Sequence, residues 1–349
     1  MKKVVHLVFS LNNGGLENMV VDICNEQSKS AEVTLIVIHS TIDTAVSDLL
    51  DSKVKFICLQ QKPPTRLPFF VISLWAILWK IKPDILHLHN RMSMKLFPRF
   101  LPKSNTKILL TIHNTGGKLG NEIRNVDITY AISNAVKSDI EKRYNINTCI
   151  NYNGVRVKDI VSKTEWCLRS CEPLKIIQIS RLMHKIKGQH VLLKATQLLV
   201  QKGVPVIVSF IGNGESLDYL KELAKELNIE NSVQFHGSLP KEDVYKTLNH
   251  YDVLIQPSLY EGFGLTIAEA MAAKVPVIVP NIEAPLEILK NDKNGYVFRV
   301  GDSQHLFEKV LCCIEDYRSG KIESIVHNAY THVNAMFNIK ETSKRYLEA

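Results

Sequence analysis

The sequence predicts an α/β protein of two doubly wound domains. Three observations carry that prediction. Short apolar stretches alternate with helix-length amphipathic segments from one end of the chain to the other, the pattern of successive βαβ units and parallel sheets. At 349 residues the chain exceeds one ordinary domain and fits about two of 150 to 200 residues each. The alternation also stops once, over residues 158–173, where polar residues collect, and then restarts as it would across a linker.

Taken in order, the first series of predicted strands is 4–9, 33–38, 55–59, 85–88, 107–112, 128–132 and 149–152. The opening MKKVVHLVFSLNNGG pairs a short basic start with an apolar run. No small-residue cleavage site follows before the helix-like LENMVVDIC, so this segment reads as the first buried strand rather than a secretory signal. The second series is 174–179, 206–211, 233–235, 253–256, 277–279 and 295–298. From about 322 to 348 the β pattern is gone and a helix-like segment remains. The expected division is a first domain over 1–165, a second over 166–325 and a C-terminal helix over 326–349 that packs back on the first. Ligands of open α/β sheets bind beyond the carboxyl ends of the strands, where loops feed helix N-termini, and chemistry is expected there.

With 45% hydrophobic and 22% charged residues, the chain has the composition of an ordinary globular protein. Its seven cysteines (Cys24, Cys58, Cys149, Cys167, Cys171, Cys312 and Cys313) are odd in number and contain no C-x-x-C pair, which argues against both a disulfide framework and a zinc site. A cytoplasmic location is the simplest expectation. The longest apolar run, 67–79, is broken by Pro68 and Ser73 and falls short of the roughly 20 residues needed to span a bilayer.

Charge is unevenly placed. Residues 1–166 hold 22 Lys+Arg against 14 Asp+Glu, whereas the remainder holds 21 of each, so the net +8 belongs to the first half. Between 53 and 107 there are 11 basic residues and one acid, Asp84, with Phe69, Phe70, Trp75, Trp79, Phe97 and Phe100 interleaved. A basic, aromatic face of this kind suits peripheral contact with an anionic membrane surface; a solvated charged face over a normal core gives the same pattern. No recognised nucleic-acid motif accompanies the charge.

Four segments fall where ligands are expected. In HLVFSLNNGGLENMVVDI, Gly14 and Gly15 open the first helix, where free N–H groups and the helix dipole favour phosphate. The spacing is not G-x-G-x-x-G, so a dinucleotide fingerprint is absent; a plain tight turn is the alternative. In SRLMHKIKGQH, Arg181 and Lys187 stand at a strand end, a planar fork and a mobile point charge suited to neutralising a diphosphate. FIGNGES supplies Gly212 and Gly214, which permit backbone approach to a ligand. QPSLYEGFGLTIAEAMAAKVPVI is the most specific segment: a strand ends near Pro257, a loop carries Glu261, Gly262, Phe263 and Gly264, and a helix begins near Leu265 with Glu269 about one turn in. Glu261 and Glu269 can then both face a ligand at the helix start, and a carboxylate there can accept both hydrogen bonds of a ribose diol.

In this order, Gly14-Gly15, Arg181…Lys187-Gly188, Gly212-x-Gly214 and Glu261-x7-Glu269 resemble glycosyltransferase family four, retaining enzymes of the group 1 type. The resemblance covers nearly the whole chain. It implies the GT-B fold, two Rossmann-like domains facing each other across a deep cleft. It further implies that Arg181 and Lys187 bind the donor diphosphate, that Glu269 binds the ribose, and that Glu261 with the backbone of Phe263, Gly264 and Leu265 contacts the transferred sugar. His113, at the end of KILLTIHN, matches the family's active-site histidine; His87 and His89 in DILHLHN are expected to be structural or to stand behind the active-site residues. The Arg181-to-Lys187 spacing is one longer than the commonest family form, which leaves Lys185 as a rival for Lys187, and Leu16 stands where the family often has Ala.

The expected function is therefore a retaining hexosyl-type transferase using a UDP-sugar, or a GDP-sugar, with a glycan or lipid-linked glycan as acceptor in bacterial surface polysaccharide assembly. No D-x-D sequence occurs, and neither metal nor other cofactor is expected. An epimerase or hydrolase of the same fold and an inactive nucleotide-sugar-binding scaffold are the alternatives.

Overall fold

The computed structural model describes residues 1–12, 14–61, 69–96, 105–169 and 172–349. The chain forms two compact units, Met1–Gly154 with Ile339–Ala349, and Val155–Asn338.

The first unit contains β1 Lys3–Val8, α1 Gly15–Gln27, β2 Glu32–His39, α2 Thr44–Ser47, β3 Lys55–Gln61, α3 Phe69–Ile81, β4 Ile85–Leu88, β5 Lys107–Ile112, β6 Ile128–Ala131, α4 Asn134–Tyr144 and β7 Cys149–Ile150. Its sheet runs β3-β2-β1-β4-β5-β6-β7 with every pairing parallel. Strand order reverses between β1 and β4, the switch point of a doubly wound sheet. The strands read as continuous apolar runs because helices cover both faces; Val4, Val5, Leu7 and Val8 of β1 are all essentially inaccessible.

The second unit contains β8 Leu174–Ile179, α5 His184–Lys187, α6 Gln189–Gln201, β9 Val206–Ile211, α7 Leu217–Glu226, β10 Val233–Phe235, α8 Lys241–Thr247, β11 Val253–Ile255, α9 Leu265–Ala272, β12 Val277–Pro280, α10 Glu283–Leu289, β13 Tyr296–Phe298, α11 Ser303–Arg318 and α12 Ile322–Met336. Its parallel sheet runs β10-β9-β8-β11-β12-β13, reversing between β8 and β11. On α6, Val191, Leu192, Ala195 and Leu199 recur at helical spacing and enter the core. All thirteen strands expected from the sequence are present, their ends moved by at most two residues.

The units divide at Gly154 rather than near 165. The polar strip that reads as a linker is tied down in the second unit: Lys163 Nζ donates to the Tyr251 carbonyl and to Asp252 at 2.8 Å, and Trp166 packs on the second core. The C-terminal helical segment is also two helices. After α12, the chain turns at Phe337, whose carbonyl accepts from Val155 N at 2.7 Å, and α13, Ile339–Leu347, joins the first unit with Ile339 and Tyr346 in its core.

Helix N-termini fall into two kinds. Asp43, Ser133 and Asp302 cap α2, α4 and α11 by side-chain hydrogen bonds to Ala45, Val136 and His305 N–H groups. In contrast α1 and α9 begin after Gly14 and Gly264 and carry no side-chain cap.

No described helix is long and apolar enough to cross a membrane. Of the basic and aromatic stretch, Lys62, Arg66, Phe97, Arg99, Phe100 and Lys103 lie outside the described residues. Within it, α3 holds Ile72 and Trp79 at 64% and 76% exposure, beside exposed Lys80 and Lys82. The six described cysteines are free thiols.

Candidate functional site

The loops leaving β8 and β11, neighbours at the second sheet's switch point, carry most of the motif residues. Gly188, in the left-handed region at φ 68, joins them: a Cβ there would stand 1.9 Å from the Pro257 carbonyl oxygen. Gly212, at φ 134, and Gly214 press the β9 loop onto the β8 loop in the same way, since added Cβ atoms would meet the Ser180 and Leu182 carbonyl oxygens at 2.0 and 2.3 Å. These two glycines have a reason in backbone packing that the sequence reading did not give them.

Lys187 Nζ lies 2.8 Å from Glu261 Oε2, with the two side chains 22% and 12% exposed. Ser258 Oγ donates to the same carboxylate oxygen at 3.1 Å and accepts from Gln256 Nε2. Lys185 points to solvent. Arg181 is also open, 69% exposed, and only grazes Glu215 at 3.5 Å. Two buried glutamines hold this loop: Gln178 Nε2 donates to the Lys187 carbonyl at 3.0 Å, and Gln189 Nε2 donates to Ser180 Oγ and the Arg181 carbonyl.

Glu269, on the buried face of α9, has different partners. Tyr245 OH donates to its Oε1 at 3.3 Å, and Lys241 Nζ stands 3.9 Å from the same oxygen. Lys241 and Arg156 both lie over the Tyr245 ring, at 5.4 and 5.3 Å from its centroid. The two motif glutamates therefore sit in separate cationic environments, one on the β11 loop and one inside α9. Gly264 starts that helix at φ 111, ψ 57, a conformation that favours glycine. The Phe263 ring turns inward against Phe337, leaving only its backbone for ligand contact.

Lys241, Tyr245, Ser258, Gln178 and Gln189 were missed in the sequence. The two glutamines had a signal, a lone amide within or just ahead of an apolar run; the others look like ordinary loop and helix residues.

In the first unit, Gly14 and Gly15 open α1 beside the switch point, and Gly14 adopts extended backbone at φ −133. His113 ends β5. Its Nε2 is buried without a hydrogen-bond partner among the described residues, and burial lowers its pKa to about 4, so the ring is neutral at pH 7. Behind it, the His89 ring centroid is 5.9 Å away.

Together these features define a protein of two Rossmann-like domains with a charged site at the carboxyl edge of the second sheet. The family model for glycosyl transferases group 1 matches residues 169–332, and that for Glycosyltransferase Family 4 matches 13–159. The chain belongs to the group 1, family 4 glycosyltransferases. An uncharacterized glycosyltransferase of Methanocaldococcus jannaschii is 26% identical over 248 residues, 63% of either chain. A putative colanic acid biosynthesis glycosyltransferase, WcaL of Escherichia coli, is 28% identical over 172 residues, 48% of this chain and 42% of that one. The chain thus covers less than two thirds of the length of both relatives. Among solved structures, Anabaena HepE in complex with UDP-glucose superposes with a TM-score of 0.81 at 20% identity, covering 100% of this chain and 99% of that one. The fold is the GT-B type.

Proposed function

We propose that this chain is a retaining glycosyltransferase that moves a hexosyl-type sugar from a nucleotide diphosphate sugar to a glycan or lipid-linked glycan, with no metal in the transfer step. The observation that carries this reading is the Lys187–Glu261 pair at the switch point, set beside exposed Arg181 on glycine-locked loops. A donor diphosphate would take Lys187 and Arg181, the electrostatic role a divalent cation fills in other designs. Glu261, released from the lysine, would accept from sugar hydroxyls, with the backbone of Phe263, Gly264 and Leu265 beside it. Glu269, oriented by Tyr245 and Lys241, would accept from the ribose diol. Gly14, Gly15, Gly212 and Gly214 remain donor-side candidates, and His113 is kept as a catalytic candidate on resemblance.

Transfer then forms a bond from the acceptor oxygen to the anomeric carbon on the face the diphosphate leaves. The bond to phosphate breaks with its electron pair on the leaving group, and the acceptor hydroxyl proton ends on a departing phosphate oxygen. Lys187 and Arg181 stabilise the charge that develops. The UDP-glucose held by HepE favours UDP over GDP, and the naming of WcaL for colanic acid biosynthesis favours a surface-polysaccharide acceptor. The exposed Ile72 and Trp79 of α3 with Lys80 and Lys82 support peripheral contact with an anionic membrane carrying that acceptor.

Thermal stabilisation by a panel of nucleotide diphosphates and nucleotide sugars tests the reading, because a ligand that binds only the folded state raises its melting point. UDP or GDP compounds should shift it, and Glu269→Ala should abolish the shift. Stoichiometric transfer to a second sugar separates a transferase from an epimerase or hydrolase. No shift with any nucleotide would overturn the proposal.

A further inference from the structure

A cluster of buried histidines lies in the first unit. His6 of β1, His87 of β4 and His89 just after it are at most 2% exposed, and each offers a ring nitrogen within 4.8 Å of those of the others. The His87 and His89 ring centroids are only 4.0 Å apart.

The hydrogen bonds around them determine which nitrogens carry protons. Gln27 Nε2 donates to the Ser343 carbonyl at 3.1 Å, which fixes its amide and leaves Oε1 to accept from His6 Nε2 at 2.8 Å. His6 therefore carries its proton on Nε2, and its Nδ1 is a bare acceptor that takes the Nε2–H of His89 at 2.9 Å. That leaves the Nδ1 of His89 bare. Thr111 Oγ1 donates to Tyr346 OH and so accepts from His87 Nε2 at 2.7 Å, which leaves His87 Nδ1 bare as well. Neither of these last two lone pairs has a partner among the described residues. Leaving a buried acceptor unpaired is unfavourable, and here two such acceptors lie on rings whose centroids are 4.0 Å apart.

We propose that His6, His87 and His89 form a binding site for a first-row divalent cation of the zinc type. Neutral imidazole is a ligand of choice for such ions, and the hydrogen bonds around these rings leave each of them a lone pair. His6 and His87 each present a bare Nδ1 while the opposite N–H donates to Gln27 or Thr111, the arrangement in which an outer partner fixes the tautomer of a metal ligand. On binding, the His6–His89 hydrogen bond breaks and three nitrogen–metal bonds form. If His89 binds through Nε2, its proton moves to Nδ1, so no proton is lost and nothing is oxidised or reduced. Because the site is closed, loading accompanies folding or a transient opening. None of the three is a proposed donor residue, and the His89 ring lies 5.9 Å from that of His113, the catalytic candidate of this unit.

Cobalt(II) and zinc, added to the chelated full chain both directly and during refolding, test this. One equivalent of cobalt should give the visible absorption of a low-coordinate imidazole site, displaced by zinc, and zinc should raise the melting point. In His87→Asn and His89→Asn, checked for fold by circular dichroism, the band should fall more than tenfold. Absence of the band in the wild-type chain under both loading conditions overturns the proposal, as does an undiminished band in folded variants, which would place the ion on other histidines. If neither variant folds, zinc-edge X-ray absorption of the loaded wild type decides: three imidazole nitrogens at about 2.0 Å support the site, and a shell with fewer than two overturns it.

Discussion

Replacing Lys187 by alanine removes the ammonium 2.8 Å from Glu261, leaving that carboxylate, 12% exposed, with the Ser258 hydroxyl as its remaining donor among the contacts described above. A deprived, mostly buried acceptor costs about 1–3 kcal/mol, less than the roughly 3–5 kcal/mol of a fully buried ion pair broken on one side, because both groups still reach water. For a unit of this size that corresponds to a fall in melting temperature of roughly 2–12 °C. Glu261→Ala should cost less, since the freed lysine can turn to solvent. The double variant should then be more stable than additivity predicts by about 1–2 kcal/mol. Urea unfolding of the four proteins without nucleotide measures this coupling. The same series assayed for sugar transfer should show kcat/KM reduced about 100-fold or more in Lys187→Ala, with the double variant little worse than the poorer single, as groups acting together behave. Stabilities within about 0.5 kcal/mol of one another with no coupling would mean that the pair does not form in solution. A Lys187→Ala protein that transfers sugar normally would refute the lysine's place at the diphosphate.

Gly212→Ala should destabilise by at least about 2 kcal/mol, because its Cβ would meet the Ser180 carbonyl; Gly203→Ala, also at positive φ but with nothing within 4 Å, should cost only about 1 kcal/mol, and urea midpoints compare the two. Acidification should destabilise the chain through its buried histidines. His6 and His113 have folded pKa values of about 4 against an ordinary 6.5, so the unfolded chain binds more protons between those values. Their contribution is complete above pH 6.5 and declines as pH falls toward 4, at about 1.4 kcal/mol per pH unit for each group; melts at stepped pH in chelator check the slope, and a flat profile contradicts it. Ile72→Ser with Trp79→Ser should change stability by no more than about 0.5 kcal/mol, since both side chains are exposed, yet weaken salt-sensitive binding to anionic vesicles in a sedimentation assay.

The strands were legible because a parallel strand covered on both faces must be apolar throughout, and few other elements of four to six residues are. The glycine and charge motifs were legible for a related reason: loops at carboxyl edges combine residue types that a core excludes. Partnerships were not legible. Nothing in Glu261-x7-Glu269 says that one acid meets Lys187 and the other Lys241 and Tyr245, because those partners come from other strands' loops and helices. The polar strip over 158–173 misled for a physical reason as well: Lys163 and Trp166 look solvated in sequence, yet their polar tips find backbone carbonyls of the second unit. The helical period of 339–347 shows that α13 packs against something, and only the fold shows that the something is α1 and the first sheet.

Translation delivers α13 after the whole of the second unit. Tyr346, 1% exposed, lies tilted against His87 and edge-on to Tyr130 at 4.4 and 5.0 Å, so until it arrives those two rings lack their Tyr346 contact. The second unit, continuous in sequence, has its complete set of core residues earlier. The first unit therefore closes only with the last residues of the chain, and a nascent chain ending anywhere between residues 155 and 338 holds a first unit that lacks Ile339 and Tyr346 from its core.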